Sequence, residues 1–363
     1  MRHEPVRHSV IDPGIAPAVI AWMGDIAGGT VARAERFVHT RPMWSVDVRR
    51  PDGSIVELFA RGDRGPASAL SSVYDLEREA VVIDALTRAG VPTPRFVAYE
   101  PEAKVLLLER ARGRSDFVEI PDAARRQRIA RHFIEVIAGL HALDADALGL
   151  DQLGIPRTAD EMALTELRIG EQLFDGAGHA PEPIVMLSRK WLYANVPRAT
   201  TRPCFLQGDT GPGNFMFEGD RVTHLVDWEI SHFGDPMEDL AAICVRDMVT
   251  PFAHLPTLFA RYGEVSGTPV DLDRVRYHRV SKCVRSLFAI LSFTSEPSDA
   301  PEFSTWQAWR LLYLKSACQA LAEAMGGAGS TDVQSLYRDA HRAVEQARPA
   351  MGALADRSFS PLT

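Results

Sequence analysis

Cysteine is scarce in this chain of 363 residues, with four spread over Cys204, Cys244, Cys283 and Cys318 and no Cys-x-x-Cys pair among them. That spacing speaks against a disulfide scaffold or a thiolate zinc site, and it reads as small buried hydrophobes in a reducing compartment. No apolar run approaches the roughly 20 residues that a membrane-spanning helix needs, so no membrane partner is expected. The first residues, Met1-Arg2-His3-Glu4-Pro5, lack the apolar core of a secretory leader, and a cytoplasmic location is expected. Positive charge is in deficit. There are 40 Lys+Arg against 48 Asp+Glu, a net charge of −8, which argues against nucleic acid as a partner. The deficit is uneven: up to Pro121 the balance is 16 against 17, and beyond it 24 against 31. A cationic substrate is compatible with that acidity, though most surface acids are simply solvated. Internal repeats, low-complexity tracts and His-rich zinc spacings are also absent.

What is present is an ordinary globular composition, 46% hydrophobic and 24% charged, long enough for a large core in two lobes. The first part reads as strand-rich. Asp12-Pro13 suits a cap and first turn for a helix running to about Gly24. Strands are expected around 30–39, 44–49 and 55–60, the last two joined by the turn Pro51-Asp52-Gly53. A helix fits Val73–Ala89, with Leu76, Ala80, Ile83 and Leu86 at helical spacing. A hairpin of two strands follows near Phe96–Glu100 and Lys104–Glu109.

The remainder reads as mainly helical. Ile129, Phe133, Val136, Ile137 and Leu140 form one apolar stripe, with His141 at its end as a packing or capping group. Trp191 lies on a further helix. More are expected at Leu240–Met248, Leu255–Tyr262, Leu272–Leu291, Thr305–Ala324 and Val333–Ala347. Trp306, Trp309 and Tyr313 share helical spacing and read as core.

One stretch carries chemistry. Leu206-Gln207-Gly208-Asp209-Thr210-Gly211-Pro212-Gly213-Asn214 is followed, after two β-prone runs around Glu218-Gly219-Asp220, by Asp227-Trp228-Glu229. A hairpin there would return Asp227 to the neighbourhood of Asn214, and the glycines let the loop take unusual angles. Two carboxylates and an amide so arranged suit phosphoryl transfer, where the protein holds Mg²⁺ against phosphates and orients the acceptor hydroxyl. Asp209 is the candidate base or orienting group, and Asn214 and Asp227 are the candidate metal ligands. Glu229 falls on the same strand face as Asp227 and stands equally as a second metal contact or an arginine partner.

With the tail Gly234-Asp235-Pro236-Met237-Glu238-Asp239-Leu240-Ala241, these residues resemble the aminoglycoside phosphotransferase and choline kinase-like family. They look closest to its broad bacterial and acyl-CoA-dehydrogenase-associated branch. The resemblance implies an α+β, bilobal protein-kinase-like fold. Residues 1–110 would be a small β-rich nucleotide-binding N-lobe with one inserted helix, and 111–363 a larger, mainly helical catalytic C-lobe. It implies ATP and Mg²⁺ as cofactors and a small-molecule hydroxyl as acceptor. Arg61 would touch the phosphates, with Arg64 close enough to take the same part, and Glu79 would position that cation. Adenine would bond main-chain groups of Glu109 and Ala111. Asp235 and Asp239 would hydrogen-bond the catalytic loop. Two departures stand out. Gln207 replaces the usual histidine, and no Gly-x-Gly-x-x-Gly loop is present. Gly28-Gly29 reads as a plain turn, so His39-Thr40-Arg41-Pro42 becomes the candidate cover for the phosphates. The same departures keep a nucleotide-binding pseudokinase open as the alternative. A metal-dependent hydrolase is a third, weaker reading.

Overall fold

A computed structural model describes residues 11–37, 41–65, 72–176, 182–198, 202–294 and 301–326. The expected helix at Val333–Ala347 and the turn residues His39-Thr40 lie outside them. The described residues divide into two compact units. One is drawn from positions up to Gly113 together with Thr223–Leu225, the other from Arg114–Val222 and from Val226 onward. No described helix is long and apolar enough to cross a membrane.

The first unit is an antiparallel five-stranded sheet of β1 (Thr30–Phe37), β2 (Met43–Arg49), β3 (Ile55–Gly62), β4 (Phe96–Glu100) and β5 (Val105–Glu109), in the order β1-β2-β3-β5-β4. Helix α1 (Pro17–Ala27) buries Val19 and Met23 against Val31, Val46 and Leu58 of the sheet. It starts later than the sequence suggests. Asp12 serves a turn instead of a cap, its carboxylate accepting from Gly14 N at 2.9 Å and from the Trp44 indole at 2.7 Å. Pro17 then takes the helix start, where a missing N–H costs nothing. Helix α2 (Leu76–Arg88) is capped by Asp75, which accepts from Arg78 N, and buries Leu76, Ala80, Ile83 and Leu86 as its spacing requires. Side chains alternate along β3, so Arg61 lies on the sheet face opposite Ala60, which belongs to the α1 core.

The second unit contains α3 (Ala123–His141), α4 (Ala159–Gly176), α5 (Pro183–Ala194), α6 (Pro236–Val249), α7 (Leu255–Ser266), α8 (Leu272–Thr294) and α9 (Pro301–Ala324). Short strands β6 (Cys204–Leu206) and β9 (His232–Gly234) pair with each other, and β7 (Phe215–Glu218) pairs with β8 (Arg221–Leu225). A core of Leu164, Leu167, Leu192, Val284, Leu287, Ala317 and Leu321 holds α4, α5, α8 and α9 together. Tyr313 is buried in it, and Trp306 and Trp309 pack against it. On α3, Ile134 is buried and Val136 only half-buried, so the real stripe is rotated slightly from the expected one. The period-2 alternation of β7 sends Phe215 and Phe217 into an aromatic cluster with Phe117, Phe133 and Phe252. That cluster fixes the chain immediately after Asn214.

Candidate functional site

The 207–214 loop leaves β6 and is held from below by Asp239, on the first turn of α6. Asp239 Oδ2 accepts from Gln207 N at 3.0 Å and from His141 Nε2 at 3.0 Å, and its Oδ1 accepts from Gly208 N at 2.9 Å. His141 reaches the Tyr262 hydroxyl through its other nitrogen at 2.8 Å. Asp239 thus has the loop-bonding place expected of it, but Asp235 does not. Asp235 caps α6 by accepting from Met237 N at 2.9 Å, and its carboxylate is taken by Arg274 and by His278 at 3.2 Å. Its position as N-cap of a helix starting at Pro236 explains the difference, because the cap turns the side chain toward its own helix.

The loop needs its glycines at two points in particular. Gly208 has φ 81°, and a Cβ there would stand 2.6 Å from Ile230 O. Gly211 has φ 143°, and a Cβ there would stand 2.8 Å from Arg246 Cδ. Both conformations and both approaches exclude a side chain.

The hairpin β7–β8 returns the chain as the spacing demands. Val226 N donates to Asn214 O at 3.0 Å, so Asp227 begins one residue from Asn214's backbone partner. Gln207 locks the arrangement, its Nε2 donating to Asn214 O at 3.1 Å and to Val226 O at 2.6 Å. An amide nitrogen carries two N–H groups and serves both carbonyls at once. Asp227 sits at φ 65°, a left-handed conformation that costs a non-glycine residue about 1 kcal/mol or more and persists only where its neighbours are fixed. Asn214 is fully buried. Its Nδ2 donates to Asp209 O at 2.7 Å and to Asp209 Oδ2 at 2.9 Å, while its Oδ1 has no hydrogen-bond partner. A buried, unpartnered amide oxygen is a hard-oxygen donor of the kind Mg²⁺ takes, and the buried Asp227 follows directly after Val226, the backbone partner of Asn214. Among the described residues, no group of three or more His, Cys, Asp and Glu gathers as a metal centre.

Two side chains that the sequence reading passed over meet Asp209. Lys282 Nζ from α8 is 3.0 Å from Oδ1, and the Arg246 guanidinium from α6 pairs with Oδ2. Each is anchored a second time, Lys282 to Gly208 O at 2.7 Å and Arg246 to Pro212 O at 2.7 Å. Both cations are buried. Burial pushes the Asp209 carboxyl up, but Arg246 and Lys282 outweigh it and hold the group well below the usual carboxylate range. Arg246 had a signal: it lies two helical turns after Asp239, on the same face of α6. Lys282 had a fainter one, a lysine set beside Cys283 and Val284 in an apolar stripe.

In the first unit, Glu79 is fully buried and pairs with two cations. Its Oε1 is 2.7 Å from Arg61 Nη1 and its Oε2 is 3.0 Å from Arg41 Nη1. The Arg61–Glu79 pair is therefore present, with Arg41 added by the backbone contact of Gly62 N to Pro42 O at 2.7 Å. Glu109 donates its N–H to Arg95 O at 2.9 Å and holds the Arg95 guanidinium with its carboxylate. Ala111 follows in irregular chain, and Arg110 is tied back to Asp47 and to Glu57.

The family model described as the phosphotransferase enzyme family matches residues 64–278. Among curated proteins, acyl-CoA dehydrogenase family member 11 of Rattus norvegicus is 30% identical over 187 residues, which is 48% of this chain and 24% of that protein. The Mus musculus counterpart is 29% identical over 234 residues, 59% of this chain and 29% of that protein. The matches thus span about a quarter of these relatives' length. Among solved structures, a Ralstonia eutropha protein provisionally named an aminoglycoside phosphotransferase superposes with a TM-score of 0.65 at 21% identity, covering 84% of this chain and 97% of that one. A thermostable mutant of aminoglycoside phosphotransferase APH(4)-Ia, in complex with ADP and hygromycin B, gives 0.57 at 15% identity, covering 86% and 100%. At such identities the likeness is one of fold. It agrees with the α+β architecture of a small N-terminal sheet and a larger helical part.

Proposed function

This chain belongs to the phosphotransferase enzyme family, and on that premise we propose that it is a small-molecule kinase that moves the γ-phosphate of ATP to a hydroxyl. The observation that supports the reading is the Gln207 clamp, which ties Asn214 to Val226, the residue before Asp227, while Asn214 donates to Asp209. Asp209 accepts a hydrogen bond from the acceptor hydroxyl and orients its oxygen toward the γ-phosphorus. As the new O–P bond forms and the bond to the departing ADP breaks, the hydroxyl proton passes to Asp209. A carboxylate held so far below its usual range is a weak base, so its contribution is orientation first and proton acceptance late. Asn214 Oδ1 and the Asp227 carboxylate would hold Mg²⁺, which supplies charge neutralisation at the phosphates when bound. Arg61, fixed by Glu79, contacts the α- and β-phosphates with its planar guanidinium. With the Glu109 N–H engaged by Arg95, the adenine contacts are the Glu109 carbonyl and the Ala111 N–H.

The test is an ATP-consumption screen over hydroxyl compounds with mass detection of a phosphate adduct. A phosphorylated product supports the reading. ATP binding with no product across a broad panel would favour the pseudokinase instead. We also place the protein in the cytoplasm, where ATP is supplied.

A further inference from the structure

We infer that Lys282 and Arg246 are positioning residues that fix the Asp209 carboxylate so that Oδ1 is the atom that receives the acceptor hydroxyl. The inference rests on the phosphotransfer reading and deepens it. A carboxylate offers about four acceptor positions, two on each oxygen. On Oδ2 both are filled, one by Arg246 and one by Asn214 Nδ2 at 2.9 Å. On Oδ1 one is filled, by Lys282 Nζ at 3.0 Å. Among the described residues, one acceptor position remains, and it is on Oδ1. The Asp209 side chain is 22% exposed, against 10% for Arg246 and 6% for Lys282, so the carboxylate is the member of the cluster open to an incoming group.

The two cations also fix the plane of the carboxylate from opposite ends. Each is tethered to a carbonyl of the loop that carries Asp209, Lys282 to Gly208 O and Arg246 to Pro212 O, so loop and side chain move as one body. A single ion pair would leave the carboxylate free to rotate about its Cβ–Cγ bond. Two, with an amide between them, do not.

The experiment compares Lys282→Met, Lys282→Arg, Arg246→Lys and Asp209→Asn in the full chain, measuring kcat, KM for each substrate, Mg-ADP affinity and melting temperature. Lys282→Met is expected to lower kcat about 100-fold, the scale of a misplaced reacting group, with Mg-ADP affinity close to wild type. Lys282→Arg, which keeps a cation with altered reach, is expected to recover part of that loss, and Arg246→Lys, which keeps a cation on Oδ2, to lower kcat less than Lys282→Met does. Wild-type kcat in folded Lys282→Met, with Asp209→Asn inactive, overturns the positioning role and leaves phosphotransfer standing. Losses of melting temperature and nucleotide affinity with kcat per folded molecule unchanged reduce Lys282 to a structural group and overturn the inference as well. Full turnover in both Lys282→Met and Asp209→Asn removes Asp209 from the mechanism, and the inference falls with it.

Discussion

The side-chain nitrogen of Gln207 lies 2.6 Å from the carbonyl oxygen of Val226, one residue before Asp227. The same nitrogen reaches Asn214 O at 3.1 Å, so one amide joins both ends of the β7–β8 hairpin. In the family this position usually carries histidine. An imidazole nitrogen has one N–H to give and the amide has two, so the replacement strengthens the clamp. Gln207→Leu should leave two buried carbonyls without that donor and cost about 1–3 kcal/mol of stability. Gln207→His should fall between the two. Thermal unfolding measures this, and turnover should fall in the same order.

Glu79 is the shared counter-ion of Arg41 and Arg61, with none of its surface exposed. Removing one member of a buried ion cluster leaves charge in a poor solvent, so Glu79→Ala should destabilise the protein by about 3 kcal/mol or more. Glu79→Gln keeps the shape and loses the charge. It should fold better than the alanine variant yet bind ATP more weakly than wild type, as isothermal titration would record. Unchanged ATP affinity would separate this cluster from the nucleotide.

Asp227 holds a left-handed backbone at φ 65°, which asparagine also tolerates. Asp227→Asn should therefore keep its melting temperature while losing a metal-directed charge. The expected readout is a turnover curve that needs at least tenfold more Mg²⁺ to reach its midpoint, about 1.4 kcal/mol of lost interaction. An unmoved midpoint would remove Asp227 from the metal site.

His232 gives a pH dependence with a definite sign. Its Nδ1 faces Ile230 O at 2.9 Å and its Nε2 stands 3.3 Å from Glu238 Oε1, an arrangement that suits the doubly protonated ring. Burial lowers its pKa, but Glu166 and Glu238 outweigh burial and the opposing Arg285, so the net shift is upward. A pKa higher in the folded state than in the unfolded one stabilises the fold fully below about 6.5, and that contribution is lost as pH rises through the folded value. The wild type should lose melting temperature across that alkaline step relative to His232→Gln. A constant difference between the two from pH 6 to 9 would contradict this.

How much of this could be read from residues alone depends on the range of the interactions involved. The glycines of the loop, the hairpin with its Phe215–Phe217 alternation and the capped helix α2 are set by neighbours within a few positions, and the chain declares them. Asp12-Pro13 was ambiguous because a helix cap and an Asx turn ask for the same residues, and the Trp44 indole decided between them. Helix α4 carries no feature as strong as the α3 stripe and went unread. Asp235 satisfies the pattern of the tail yet serves as a cap, because Pro236 starts the helix there. Arg246 and Lys282 approach Asp209 from two separate helices, and only the packing of α6 on α8 makes them neighbours. Long-range convergence of that kind leaves almost no trace in local sequence.

The most direct measurement is turnover and Mg-ADP affinity of Asp209→Asn, assayed on an acceptor that the wild type phosphorylates. The account predicts a folded variant that binds Mg-ADP about as the wild type does and forms no phosphorylated product. Product formation at the wild-type rate would contradict it.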